Sequence, residues 1–191
     1  MGREYDNTNR AKKSARTAVR ILESAEHLIR RKPLSEVTLS DIADHAEVSV
    51  QTVLRHHGSR DGVLMAMGEM LRERISSQRK AVQPGNVEAA VDNVFEHYER
   101  EGDLILRVLS EEATSSFAAE AASRGRVFHR AWVEEIFAPV LQAPDESTYD
   151  ALVVATDLYT WRLLRRDLGR SKEEVRAVML GLVQTTIGAS R

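Results

Sequence analysis

Residues 38–64 read TLSDIADHAEVSVQTVLRHHGSRDGVL, and this stretch determines how the rest of the chain is interpreted. Thr38 followed three residues later by Asp41 forms a capping-box pattern, with a hydroxyl group at the cap and an acid at the third helical position. Ser49 can cap a second helix, and Ser59 can cap a third. Apolar residues follow these caps at helical spacing. The stretch therefore predicts two short helices, a tight turn between them and the start of a longer helix.

Two helices joined by a turn of about 3–4 residues form a helix-turn-helix, whose second helix enters the major groove of DNA. The stretch resembles the DNA-binding core of the tetracycline-repressor-type (TetR) family of transcriptional regulators. The positions that carry the resemblance are Thr38, Asp41, Ile42, Ala43, Ala46, Val48, Ser49, Thr52, Val53, His56, Ser59, Asp61 and Leu64. The chain departs from the family pattern at Glu47, where a turn glycine is usual, at Leu54 for a tyrosine, at His57 for a phenylalanine and at Arg60 for a lysine.

The composition favours an all-α fold. The chain has 191 residues and is 42% hydrophobic, so it is long enough to bury a substantial core. Prolines are few and alternating apolar patterns are scarce, which favours helices. The absence of cysteine excludes disulfides, thiolate metal sites and a cysteine nucleophile. No apolar run is long enough to span a membrane and the polar N-terminus is no signal peptide, so we expect a cytoplasmic protein.

The helical pattern divides the chain into two domains. We expect residues 1–63 to form a three-helix, helix-turn-helix domain with an N-terminal arm, and residues 64–191 to form a helical ligand-binding and dimerisation bundle. The arm would place Arg3, Arg10, Lys12 and Lys13 near DNA, or would be a solvated tail. Outside the motif, the periodicity predicts helices over 13–31, 60–80, 86–100, 104–109, 117–141, 148–168 and 171–188, with Gly102 interrupting the chain. The total is about nine helices.

The second helix of the motif supplies the candidate DNA-binding residues. Gln51 can pair with adenine, Arg55 with guanine, and Val50 can contact a thymine methyl group. The resemblance implies phosphate contacts for Thr52 and His56, and the loss of one such contact at Leu54. The full set of candidates is Thr38, Ser40, Ser49, Val50, Gln51, Thr52, Arg55, His56 and Arg60. The alternative is that these are simply exposed polar residues.

A ligand pocket in the second domain is a further expectation. Its candidates are methionine, aromatic and leucine side chains, namely Met67, Met70, Leu71, Phe95, Tyr98, Leu109, Phe128, Trp132 and Tyr159. Such a stripe is also typical of an ordinary core. His97, His129, Glu96 and Arg130 are candidate polar anchors, with exposure at the surface as the alternative for each.

The last two helices carry apolar residues on two faces, which predicts that a partner subunit covers one of them. The candidates for the dimer interface are Leu158, Trp161, Leu180, Gly181, Gln184 and Gly188. Among them, the glycines would let another backbone approach closely.

The resemblance implies a homodimeric regulator that binds a palindromic operator in double-stranded DNA. It is expected to be a repressor released by a small apolar ligand, with no cofactor and no membrane partner. The alternative is a helical interaction protein whose helix-turn-helix no longer reads DNA. An enzyme is not expected, because the acid pairs Glu111-Glu112 and Glu134-Glu135 have no nucleophile beside them in the sequence. His56-His57 is not expected to bind a metal, because adjacent helical residues point about 100° apart.

Overall fold

The computed structural model describes residues 2–190, with side chains from Asn9 onwards, and these residues form an all-α fold, as predicted. The helices are α1 (Gly2–Ile29), α2 (Leu39–His45), α3 (Val50–His57), α4 (Arg60–Arg79), α5 (Val87–Leu109), α6 (Ser116–Phe137), α7 (Glu146–Ala155), α8 (Leu158–Arg162) and α9 (Lys172–Ala189). Short 3-10 turns lie at Leu34–Glu36 and Ala138–Val140, and a π-helical turn at Leu163–Asp167 follows α8.

The chain divides into two compact units. The first contains the residues up to Arg72 together with Leu106–Ala121, and the second contains Glu73–Ile105 together with the residues from Ala122 onwards. In the first unit, α1, α2 and α3 pack against one another. Their shared core is fully buried and consists of Ile21, Ala25, Ile29, Leu34, Val37, Ile42, Ala43, Ala46 and Val53.

The predicted caps of the first unit are confirmed. The backbone N–H of Asp41 donates to the Thr38 hydroxyl at 3.1 Å, and the Thr38 N–H donates to the Asp41 carboxylate at 2.8 Å. The carboxylate also binds Lys32 at 2.7 Å, and this contact is the main reason why the pKa of Asp41 lies well below its usual range. These reciprocal bonds fix the start of α2.

The second unit is built around Trp161, whose side chain has no exposed surface. Its indole N–H donates to the Glu99 carboxylate at 2.9 Å, and the same carboxylate binds Arg165 and Lys172. Helix α9 packs against α7 and buries Val175, Met179, Val183 and Ile187, which recur every four residues. The opposite face of α9 therefore remains open.

Four predicted helix boundaries were wrong. Helix α6 ends at Phe137 rather than at residue 141, because Ala138–Val140 forms a 3-10 turn. Helix α1 begins at Gly2 rather than at residue 13, so Arg10, Lys12 and Lys13 belong to it, while the Arg3 side chain lies outside the described side chains. Helix α5 continues through Gly102, so no separate helix begins at residue 104. The segment 148–168 is divided, because the Thr156 hydroxyl donates to the Leu152 carbonyl at 2.7 Å and Asp157 caps α8 through the Tyr159 N–H.

Gly102 is a close-approach glycine rather than a helix break. A Cβ atom at this position would lie 2.6 Å from the Trp161 ring, which is far inside van der Waals contact. We therefore expect Gly102→Ala to destabilise the second unit by about 1–3 kcal/mol, the usual cost of overpacking a core. Urea unfolding followed by tryptophan fluorescence measures this loss. Gly125→Ala is the control, because a Cβ atom there would meet nothing within 4 Å. Equal stabilities of the two variants would contradict the close contact.

Candidate nucleic-acid interface

The turn between α2 and α3 contains a left-handed backbone conformation at a residue that is not glycine, which is energetically unfavourable. Glu47 has a φ of 53°, a left-handed value that favours glycine. The turn is nevertheless closed by backbone hydrogen bonds from Glu47 to the Asp44 carbonyl at 3.1 Å and from Val48 to the Ala43 carbonyl at 2.9 Å. The helix-turn-helix is thus formed without the usual glycine.

Helix α3 is anchored on one face and open on the other. Val53 is fully buried, and the Ser49 hydroxyl caps the helix by accepting the Thr52 N–H at 3.1 Å. The side chains of Gln51 and Arg55 are exposed, and Val50 is 37% exposed. The other candidates differ in exposure: Thr38, Ser40 and Ser49 are exposed, while Thr52, His56 and Arg60 are half-buried.

Two of the family positions that differ in this chain pack into the first unit. Leu54 and His57 are both half-buried. Burial lowers the pKa of His57, which favours the neutral imidazole. His57 is therefore a half-buried neutral ring at the position where the family pattern has a phenylalanine. No group of three or more potential metal ligands occurs among residues whose side chains are described.

Arg60 makes contacts that the sequence alone does not reveal. Its guanidinium donates to the Val37 carbonyl at 2.6 Å and also to the Leu34 carbonyl. The segment just before α2 is bound from a second direction by Glu111, whose carboxylate accepts the N–H groups of Leu34 at 2.5 Å and Ser35 at 3.0 Å. Arg60 and Glu111 thus hold residues 34–37, the segment that leads into the helix-turn-helix, from two directions.

We expect Glu111→Ala to destabilise the first unit by about 1–3 kcal/mol, because it leaves the N–H of the buried residue Leu34 without its acceptor. Amide hydrogen exchange of residues 34–45 should accelerate in this variant. Glu112→Ala is the neighbouring acid substitution for comparison. If both variants exchange at the parent rate, the Glu111 contact does not stabilise this segment.

The expected ligand-pocket residues are found in both units. In the first unit Met67 is buried, while Met70, Leu71 and Leu109 are half-buried. In the second unit Phe95, Tyr98 and Trp132 are buried, Phe128 is half-buried, and Tyr159 is 54% exposed. The burial of most of these residues fits a core and a ligand-binding interior equally.

The polar anchors fall into two classes. His97 and His129 are buried, and burial lowers the pKa of each to about 3. Glu96 is exposed, and Arg130 is half-buried and bound to Glu134, Glu146 and Asp150 at 2.5–2.6 Å. The histidines are therefore interior groups, and Arg130 is engaged in a surface ion-pair network.

The residues expected at the dimer interface differ in how far they are buried. Trp161 is fully buried in the core of its own chain and Leu158 is nearly so, which leaves them almost no surface for a partner. Gly181 and Leu180 are half-buried, and Gln184 and Gly188 are exposed. The sequence did not identify the apolar residues that are exposed on α9, Val178 at 42% and Leu182 at 44%. Their spacing, with Gly181 between them, is that of one helical face.

No helix among the described residues is long and apolar enough to cross a membrane.

Comparison with known proteins agrees with the motif. Residues 21–67 match the model of the family described as bacterial regulatory proteins, tetR family. These residues include α2 and α3 and the segment of α4 that ends at Met67. No curated protein matches the chain.

Solved structures with the same fold cover nearly the whole chain. A transcriptional regulator from Rhodococcus sp. Rha1 is 15% identical with a TM-score of 0.75, covering 91% of this chain and 97% of its own. A TetR-family regulator from Streptomyces coelicolor is 17% identical with a TM-score of 0.70, covering 100% and 96%. The multidrug binding protein EbrR, complexed with imidazole, is 21% identical with a TM-score of 0.55, covering 85% and 87%. Residues 21–67 thus match the model of the tetR family, and nearly the whole chain shares its fold with these solved regulators.

Proposed function

We propose that the chain is a homodimeric transcriptional regulator that reads a palindromic operator in double-stranded DNA through α3. The observation that carries this proposal is the open face of α3, where Gln51 and Arg55 extend from a helix whose other face is buried at Val53. Glutamine and arginine are side chains that pair specifically with adenine and guanine in the major groove. In a two-fold symmetric dimer, the two copies of α3 would enter successive grooves about 34–36 Å apart.

The proposed functions are assigned to the two predicted domains. Residues 1–63 would bind DNA, and residues 64–191 would dimerise and bind a small effector. Arg60, the first residue of α4, would contact DNA in addition to the carbonyl groups of Leu34 and Val37, which its guanidinium binds. The similarity to EbrR supports the proposal of a ligand-binding interior, as do the buried candidates Phe95, Tyr98 and Trp132.

Repression relieved by a ligand is the mode of regulation that we propose. The ligand and the operator would each lower the affinity of the other by the same factor, with a coupling of about 1–3 kcal/mol. Regulation is favoured over catalysis because the paired acids are bound to the protein: Glu111 accepts two backbone N–H groups, and Glu134 binds Arg130.

Selection of bound sequences from a pool of random DNA fragments tests the proposal with the full chain. We expect enrichment of an inverted repeat whose half-sites are one helical turn, or a multiple of one turn, apart. An interaction protein with a helix-turn-helix that does not read DNA is the second candidate, motivated by Glu47 and Leu54. It would enrich no common sequence from the pool.

A further inference from the structure

Arg79, the last residue of α4, is a buried cation. Its side chain lies within the second unit and the residue is only 3% exposed. The guanidinium carbon lies 4.4 Å from the centre of the Trp132 ring and 5.8 Å from that of Tyr98, so the cation is enclosed by aromatic faces. Its Nε and Nη1 atoms have no hydrogen-bond partner in the described part of the chain.

Among the described side chains, the groups in contact with Arg79 do not balance its charge. Tyr98 contributes a side-chain hydrogen bond, but burial raises the pKa of its hydroxyl to about 12, so the phenol stays neutral. His97 and His129 are neutral as well, with pKa values lowered to about 3 by burial. Arginine remains protonated in proteins. Because isolated buried charges are costly, a buried guanidinium is normally paired with an anion.

Other polar atoms beside Arg79 also have unused hydrogen-bonding capacity. The indole Nε1 of Trp132 is a buried donor without a partner among the described residues, and the Nδ1 of His129 is likewise unpartnered. The tautomer of His129 follows from Thr156, whose hydroxyl donates its proton to the Leu152 carbonyl at 2.7 Å and lies 3.2 Å from Nε2. Nε2 must therefore donate to that hydroxyl, which leaves Nδ1 as an acceptor.

These groups form one cluster. The rings of His129 and Trp132 are stacked with their centres 6.0 Å apart, and Arg79 acts electrostatically on both His97 and His129. Phe137 packs edge-on against Trp132. The cluster thus combines unpaired N–H donors, a fixed positive charge, one acceptor and aromatic rings in contact with them, all contributed by α4, α5 and α6 of the second unit.

We propose that Arg79, Trp132 and His129 form the binding site for a small organic acid with an aromatic body. The carboxylate would accept hydrogen bonds from the Arg79 guanidinium and the Trp132 indole N–H, and a hydroxyl group on the ligand could donate to His129 Nδ1. A charged acceptor is favoured over a neutral one because only an anion balances the Arg79 charge. This inference rests on the proposed ligand-responsive function, and it replaces a purely apolar effector with an anionic one.

Calorimetric titration of the full chain with benzoate and phenylacetate, each compared with its primary amide, tests the site. The acids should bind at least tenfold more tightly than the amides. Arg79→Met should remove that preference and Arg79→Lys should retain part of it, while Arg170→Met, at an exposed arginine, should bind as the parent does. Arg79→Met should also raise the melting temperature of the ligand-free protein, because it removes an unpaired buried charge at similar volume.

The inference is overturned if neither acid binds, if acids and amides bind equally, or if Arg79→Met keeps the preference for acids. A lower melting temperature for Arg79→Met would also contradict it, because that result assigns Arg79 a structural role. Operator binding by the same preparations is measured separately. If the operator binds and neither acid does, the anion site is wrong while DNA binding stands; if the acids bind and no DNA is selected, the proposed regulator is wrong.

Discussion

Lowering the pH from 6.5 to 5 should reduce the free energy of unfolding by about 3 kcal/mol, because His97 and His129 must remain neutral in the folded state. Burial lowers the pKa of each imidazole to about 3, and both are exposed to water on unfolding. The unfolded chain therefore binds protons that the folded chain rejects. This contribution to stability is fully present above about pH 6.5, the unfolded pKa, and is lost progressively as the pH falls towards 3.

Urea unfolding at pH 7, 6 and 5 measures this effect. Trp132 and Trp161, the two tryptophans, both lie in the second unit, so their fluorescence reports on its unfolding. The stability should fall by up to about 2.7 kcal/mol per pH unit, which corresponds to two protons. His97→Gln and His129→Gln should each halve the slope, whereas His45→Gln, at an exposed residue of the first unit, should leave it unchanged. A stability that is flat from pH 7 to 5 would contradict the burial of neutral histidines.

Gly181→Glu should convert the proposed dimer into a folded monomer. Within one protomer a Cβ atom at Gly181 would meet nothing within 4 Å, so the substitution is compatible with the fold of the chain. The flanking residues Val178 and Leu182 expose apolar surface on the same face of α9. If a partner covers that face, two-fold symmetry places two unpaired carboxylates in the interface, each at a cost of about 3–5 kcal/mol. The dimer dissociation constant should rise at least a thousandfold.

Sedimentation equilibrium measures the dissociation constant, and thermal unfolding of the same samples verifies that the protomer is folded. Gly125→Glu is the matched control, because Gly125 is also a helical glycine with open space around it, but lies on α6. It should remain dimeric. A Gly181→Glu variant that dimerises as tightly as Gly125→Glu would place the interface elsewhere on the chain.

Helix caps were predictable from the sequence, whereas contacts between residues distant in the sequence were not. The cap at Thr38 and the cap at Ser49 depend on residues three positions apart, so their spacing in the sequence contains all the information required. Gly102 has the residue type of a helix break, but its role is set by Trp161, a contact across 59 residues that no local pattern records. For the same reason, helix boundaries near Gly102 and Thr156 were wrong.

The candidate site shows the same distinction. The exposure of Gln51 and Arg55 followed from helical periodicity around the buried Val53. The buried position of Arg79 could not be predicted, because an arginine near the end of a helix is normally exposed. Trp161 was assigned to a dimer interface from its helical face alone, whereas Glu99 and Gly102 hold it in the core of its own chain.

The salt dependence of operator binding, measured for the parent chain and for Arg55→Ala, tests the proposed reading of DNA by α3 most directly. For the parent, the logarithm of the binding constant should fall linearly with the logarithm of the salt concentration, because phosphate contacts release counterions. Arg55→Ala should weaken binding to the selected operator by about 1–3 kcal/mol and relax preference at one position per half-site. Arg170→Ala, at an exposed arginine of the second unit, should bind as the parent does. A binding constant that does not change with salt, or an Arg55→Ala variant with the operator affinity and preference of the parent, would contradict the account.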